Sequence, residues 1–256
     1  MTDGAEDLTG HLSRAAVAFV ETAETTVRAT MTREASRLER ASLWMAEAIR
    51  DGGLIRVFGT GHSRLLAEEI FYRAGGLAPV DAVLEDTVSG YRDVTKSEYA
   101  ERLEGLGELI VAHRRIAPPD VLLVISQSGR NAVPIEVAQA ARRRSVRTIA
   151  ITSLLHAKGQ PSRHSSGKHL HEVVDLVIDN GAPNGDCAVA LSNGRPVGPL
   201  STVAGSVLIQ TLVIGAAECL LRWGLEPPVF ASGNVEGGRA WNERLIDRYW
   251  DRVRGW

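Results

Sequence analysis

Val121-Leu122-Leu123-Val124-Ile125-Ser126-Gln127-Ser128-Gly129-Arg130-Asn131 decides how this chain folds. Five apolar residues, three of them β-branched, form an uninterrupted run of the kind that makes a strand buried on both faces, and Ser-Gln-Ser-Gly ends it. A helix is expected from about 132 to 144. Asn131 is placed to be its N-cap, Pro134 falls in the first turn where a missing N–H costs little, and Arg142, Arg143 and Arg144 suit the negative end of the helix dipole. Strand, polar glycine loop and helix together form an anion cradle. N–H groups and two hydroxyls converge on one point with roughly half a positive charge behind them, and a phosphate is the natural guest.

The bulk of the chain sets limits on that guest. At 256 residues and 44% hydrophobic content the chain can bury one large core. A formal net charge of −2 and a pI of about 6.4 offer no electrostatic footprint for nucleic acid, so a small ligand is expected. Cys187 and Cys219 stand far apart and outside any metal-ligand spacing, which implies a reducing compartment. The N-terminus is polar and acidic, unlike a secretory leader. The most apolar stretch, 203–221, holds Ser206, Gln210, Thr211 and Glu218 and reads as a core helix, not a membrane span. A cytoplasmic protein with no membrane partner is expected.

Working outward, residues 12–50 read as helix with a break near Thr30 and a stop at Gly52-Gly53. A strand over 54–58 delivers Gly59-Thr60-Gly61-His62-Ser63, then a helix to about Ala74. The third glycine of a dinucleotide fingerprint is missing, since Arg64 and Leu65 open the helix, so this loop suits a phosphate or sugar before a nicotinamide. A strand over 79–84 brings Glu85-Asp86 to its carboxyl end, where ligands of open parallel sheets sit. Glu85 is either a functional carboxylate or a solvated one. A helix is expected over 99–115, a strand over 146–152, loop over 153–171 and a strand over 173–178. The histidines His156, His164, His169 and His171 lack the spacing of a zinc site. Ser201-Thr202 is the expected N-cap of the core helix. An extended tail over 227–238 leads to a last helix over 239–254, and Asn234 and Glu236 either close over a ligand or simply turn the chain.

These pieces have a family likeness. Helices first, then a five-stranded parallel sheet with Gly59-Thr60-Gly61-His62-Ser63 after the first strand and Ser126-Gln127-Ser128-Gly129 after the third, resemble the sugar isomerase (SIS) domain over roughly 30–225. The resemblance implies an α/β fold, a three-layer αβα sandwich of flavodoxin type with extra terminal helices. It divides the chain into a helical segment 1–52, a sugar-phosphate-binding domain 53–225 and a tail with its helix 226–256. It makes Ser126, Gln127, Ser128, Gly129 and Asn131 the phosphate loop, Asn131 standing where a Ser or Thr is usual, and it matches Gly61 and Ser63 to the family's first loop. The tail Phe230-x-Ser232-x-Asn234-x-Glu236-Gly237-Gly238 and the turn Gly181-Ala182-Pro183-x-Gly185-Asp186 resemble single-domain bacterial members related to N-acetylglucosamine-6-phosphate dehydratase. A homodimer or higher homo-oligomer with sites at the subunit boundary is implied, with no cofactor and no metal.

With the phosphate at residue 128, the reactive end of an open-chain sugar lies over the first loop and Glu85. The expected chemistry is removal of the C2 proton by Glu85, with His62 as acid or carbonyl-polarising partner. Protonation of a departing C3 oxygen then makes a lyase, dehydrating an N-acetylhexosamine 6-phosphate, as in the related N-acetylmuramic acid 6-phosphate etherase. Reprotonation at C1 makes an aldose-ketose isomerase. A non-catalytic sugar-phosphate sensor is the third reading.

Overall fold

The structure, a computed structural model, describes residues 12–254; the polar start of the chain read for a leader lies outside them. Five strands, β1 (Ile55–Gly59), β2 (Val80–Val83), β3 (Val121–Ile125), β4 (Arg147–Thr152) and β5 (Leu176–Asp179), pair in parallel in the order β2-β1-β3-β4-β5. β1, β2 and β3 are buried along their whole length. That burial explains the unbroken apolar run of β3, because helices cover both faces, while the charged residues of β1 and β2, Arg56 and Asp81, are buried as a pair.

One face packs against α1 (Arg14–Arg50), α2 (Arg64–Glu69) and α7 (Ser201–Arg222) through Met45, Ile55, Leu123, Ile149 and Leu212. The other packs against α3 (Val94–Ala100), α4 (Leu106–His113) and α5 (Ala132–Arg143) through Phe58, Leu122, Ile135 and Val137. Each large side chain fully buried in these layers contributes roughly 1.5–3 kcal/mol. A two-stranded antiparallel hairpin of β6 (Cys187–Ala190) and β7 (Pro196–Pro199) stands apart from the sheet, α6 (Leu154–Lys158) is one short turn after β4, and α8 (Gly238–Tyr249) closes the chain.

Several expectations are corrected. α1 runs 37 residues without a break at Thr30, whose hydroxyl is buried and donates to the Asn180 carbonyl. The helix expected over 99–115 is two helices, parted at Gly105, which has φ +92. The N–H groups of Gly105 and Gly107 donate to the carboxylate of Glu136 on α5, at 2.6 and 2.9 Å, so an anion from another helix caps α4. Ser201 does not cap α7. Asp186 does, accepting from the N–H groups of Leu200 and Ser201 and from the Ser201 hydroxyl. α2 stops at Glu69, short of Ala74, and α8 ends at Tyr249, short of Arg254. α7 is long and apolar enough to cross a membrane, yet it lies along α1 with Leu208, Ile209, Leu212 and Val213 in the core.

At the amino ends of the strands, far from the loops of interest, Arg56 is buried between two acids. Its guanidinium donates to Asp81 at 2.5 Å and to Asp120 at 2.9 Å. The N–H of Arg254 adds a 2.9 Å bond to Asp81, tying the chain's end to the sheet.

Candidate functional site

The strand order reverses direction between β1 and β3, and in open parallel sheets the loops leaving two such strands part to leave a crevice at their carboxyl ends. The two loops there are Gly59–Ser63 and Ser126–Asn131. Their local shape has steric causes. A Cβ on Gly59 would lie 2.6 Å from the Ser63 carbonyl, so only glycine lets the first loop fold back on itself. Gly129 has φ +58, and a Cβ there would meet the Thr152 hydroxyl at 3.0 Å.

Ser126 is buried and its hydroxyl accepts the N–H of Gly129 at 3.2 Å, so it shapes the second loop from within. Ser128 is half-buried, and its hydroxyl and N–H meet no acceptor among the described residues. The same holds for the N–H groups of Gln127, Arg130 and Asn131. The Gln127 amide oxygen accepts from Asn180 at 2.8 Å, which leaves its buried Nε2 without a partner, and the buried Nε of Arg130 also has none. Buried donors without acceptors are rare in a folded chain, and these two call for an acceptor from outside it, an ordered water or a ligand oxygen. The groups this loop leaves without partners are thus N–H donors and one hydroxyl.

Beside the first loop lies a cavity of about 400 Å³, with Gly61, His62, Ser89, Tyr91, Glu98 and Glu101 among its lining residues. His62 is exposed, and Ser63 donates its N–H to the Thr60 carbonyl at 3.0 Å. Glu101 joins the cavity to the helix that follows the Ser126–Asn131 loop: its carboxylate accepts the Thr60 hydroxyl, and its main-chain carbonyl accepts the N–H of Val133, in the first turn of α5, at 3.1 Å. Arg64 donates to the Ser89 carbonyl and lies over the Tyr91 ring, holding the far wall.

Gly61, His62, Ser63, Glu85, Ser126, Gln127, Ser128, Gly129 and Asn131 therefore all gather at the carboxyl ends of three adjacent strands. Glu85 is not in the cavity wall; its Oε1 accepts the Thr87 N–H at 3.3 Å and caps a short 3-10 turn over Asp86–Val88. Asn234 and Glu236 are exposed, on a segment anchored elsewhere. Val229 bridges Leu77, and the N–H of Ala78 donates to the Pro228 carbonyl, at the amino end of β2. Asn131 occupies the N-cap position of α5, but its side chain makes no capping bond and accepts from Arg163 instead.

Sequence reasoning missed Glu98, Glu101 and Arg163. Only the short Ser126-to-Asn131 signal was local; Thr60 and Glu101 are 41 residues apart, and nothing in either neighbourhood announces the other.

The stretch read as bare loop over 153–171 is strapped across α5. Leu170 donates its N–H to the Gly129 carbonyl at 2.8 Å, and Ser165 gives both its N–H and its hydroxyl to Glu104. Glu104, Glu136 and His164 lie close enough to share a cation, but both carboxylates are already taken by N–H and hydroxyl donors. Burial, and then the nearby Arg130 guanidinium, hold the His156 imidazole below its ordinary pKa, and burial does the same to His171.

Residues 18–153 match the family described as SIS domain. The chain belongs to the SIS domain family. It is 44% identical to the UPF0309 protein GK1441 of Geobacillus kaustophilus over 224 residues, covering 87% of this chain and 89% of that one. Among solved structures, this SIS protein is similar in fold to a phosphoheptose isomerase from Francisella tularensis. The TM-score is 0.53 at 17% identity, over 79% of this chain and 96% of that one. It is similar in fold, too, to the Vibrio vulnificus NanR protein complexed with ManNAc-6P, with a TM-score of 0.51 at 14% identity, over 94% and 70% of the two chains.

Proposed function

We propose that this SIS protein binds a sugar phosphate, with the phosphate on the Ser126–Asn131 loop and the carbon chain in the cavity beside Gly61–Ser63, and isomerises it between aldose and ketose. The observation that carries the reading is Glu101, a carboxylate that lines the cavity while its own main chain holds the start of the phosphate-loop helix. Glu101 takes the C2 proton of the open-chain aldose and returns it to C1, while a proton moves from the C2 hydroxyl to the carbonyl oxygen; His62 polarises that oxygen. Glu85, outside the cavity wall, competes for the base role. A phosphoheptose isomerase and a protein holding ManNAc-6P, both alike in fold, agree with a sugar-phosphate ligand.

Dehydration of N-acetylglucosamine 6-phosphate needs the same C2 abstraction plus an acid at the C3 oxygen, for which Glu98 is the neighbour in the cavity. Proton NMR of sugar phosphates incubated with the protein in heavy water separates the readings. Isomerisation predicts a ketose phosphate carrying deuterium at C1, with deuterium at C2 only in aldose re-formed by the reverse step. An unsaturated product from the acetamido sugar moves the assignment to a lyase, and saturable binding with neither product makes the protein a sensor.

The active form is a homodimer or higher homo-oligomer in this reading. Val203, Val207, Ile214 and Leu221 recur at helical spacing on α7 and are exposed, a stripe suited to a second copy. Asn234 and Glu236, anchored at the amino end of β2, belong to the wall of a partner's site.

A further inference from the structure

Asn131 has no capping work to do. An N-cap side chain accepts from the N–H of the second or third helical residue. In α5 the third is Pro134, which has no N–H, and the second, Val133, already donates to the Glu101 carbonyl. The freed Asn131 Oδ1 accepts instead from the guanidinium of Arg163, at 3.0 Å. Arg163 is held from behind as well, since its own N–H donates to the Arg130 carbonyl at 2.8 Å.

Two arginines thus meet at the rim of a loop whose unpartnered main-chain groups are N–H donors. Neither forms an ion pair with any described residue, and the Arg130 Nε is shielded from solvent with no acceptor. Arg130 finds only a long 3.4 Å contact to the Gln160 amide oxygen. Glu98 and Glu101 face Arg163 from the cavity side, and Arg102 adds a third positive charge, but no carboxylate comes within pairing distance. An anion seated between them would offset the repulsion of these like charges.

Resting on the sugar-phosphate reading of this site, we propose that Arg130 and Arg163 clamp the phosphate and select a dianionic phosphomonoester over a singly charged ester, with Asn131 as the positioning residue for Arg163. The main-chain N–H groups and Ser128 meet the oxygens of any tetrahedral anion. The guanidinium forks respond to charge and to planar, bidentate geometry, which a phosphomonoester at neutral pH satisfies with close to two negative charges.

Calorimetric titration of the intact protein with glucose 6-phosphate and with glucose 6-sulfate tests this, because the two differ chiefly in charge. The wild type binds the phosphate at least about 10-fold more tightly. Arg163→Gln weakens phosphate binding by about 10- to 100-fold, the range spanned by one charge-assisted hydrogen bond, and barely changes sulfate binding. Arg163→Lys does not restore it, because an ammonium lacks the fork. Asn131→Ala gives a smaller loss in the same direction, raising KM with kcat kept. Arg163 is exposed, so its variants fold, and a thermal melt confirms it. Wild-type preference for phosphate with Arg163→Gln unchanged overturns the clamp and leaves the sugar-phosphate site standing. Equal affinity for the two esters in the wild type overturns the charge selection. Failure of the wild type to bind either ester overturns the site and the clamp together.

Discussion

The Thr60 hydroxyl donates to the Glu101 carboxylate, joining the loop after β1 to the end of α3 and so fixing one wall of the cavity against the other. Because the same residue's carbonyl receives the Val133 N–H, a shift in Glu101 moves both the cavity wall and the first turn of α5.

Glu101→Gln is expected to lower kcat by about 10²- to 10⁴-fold, the usual worth of a positioned base, while sugar-phosphate affinity stays within a few-fold. Steady-state kinetics paired with calorimetry reads both. Glu85→Gln in the same assays decides between the two carboxylates: the larger fall in kcat identifies the base.

Replacing Gly129 by alanine forces a side chain into a left-handed backbone and against the Thr152 hydroxyl. We expect a loss of roughly 1–3 kcal/mol in denaturant-derived stability, with sugar-phosphate binding abolished because the cradle's N–H groups are redirected. Binding that survives would show that the loop tolerates a different shape.

His156 and His171 have pKa values held below the ordinary 6.5, so between their folded values and 6.5 the unfolded chain binds more protons than the folded one. Stability from these two residues is complete above about pH 6.5 and is lost as pH falls below it. Thermal midpoints recorded from pH 8 to 5 should drop, and His171→Gln should flatten the slope. Glu104 and Glu172, whose carboxyls lie below the ordinary 4.5 because Ser165 and the His169 N–H donate to them, act only at lower pH and do not confuse this window.

Asp81→Ala leaves Arg56 buried with one of its two acids gone and the Arg254 N–H without its acceptor. A cost of about 3–5 kcal/mol is expected by chemical denaturation. Ligand affinity should hold under native conditions, since this network lies at the opposite end of the sheet from the loops.

Ile214, 63% exposed in the middle of the α7 stripe, is the residue that tests the proposed homo-oligomer. Ile214→Glu should convert the particle to a monomer by light scattering with the helical circular dichroism unchanged. An unaltered mass would remove α7 from the interface.

What the sequence determined by itself is local. Residues 121–131 carry strand, loop and helix in one contiguous signal, because an apolar run, a polar glycine stop and a proline in the first helical turn each act within a few residues. The parallel five-stranded order and the gathering of Gly61, His62 and Ser63 near Ser128 follow from that signal repeated along the chain and from the family resemblance. The tertiary structure alone decided the rest. α1 stays whole at Thr30 because the Asn180 carbonyl, 150 residues away, receives its hydroxyl. Glu136 splits the expected 99–115 helix from outside it, Asp186 rather than Ser201 caps α7, and Asn131 gives up the capping bond its residue type promised to hold Arg163. In each case a distant polar partner outweighs a local preference, since a buried donor or acceptor left unmet costs more than the difference between one cap and another.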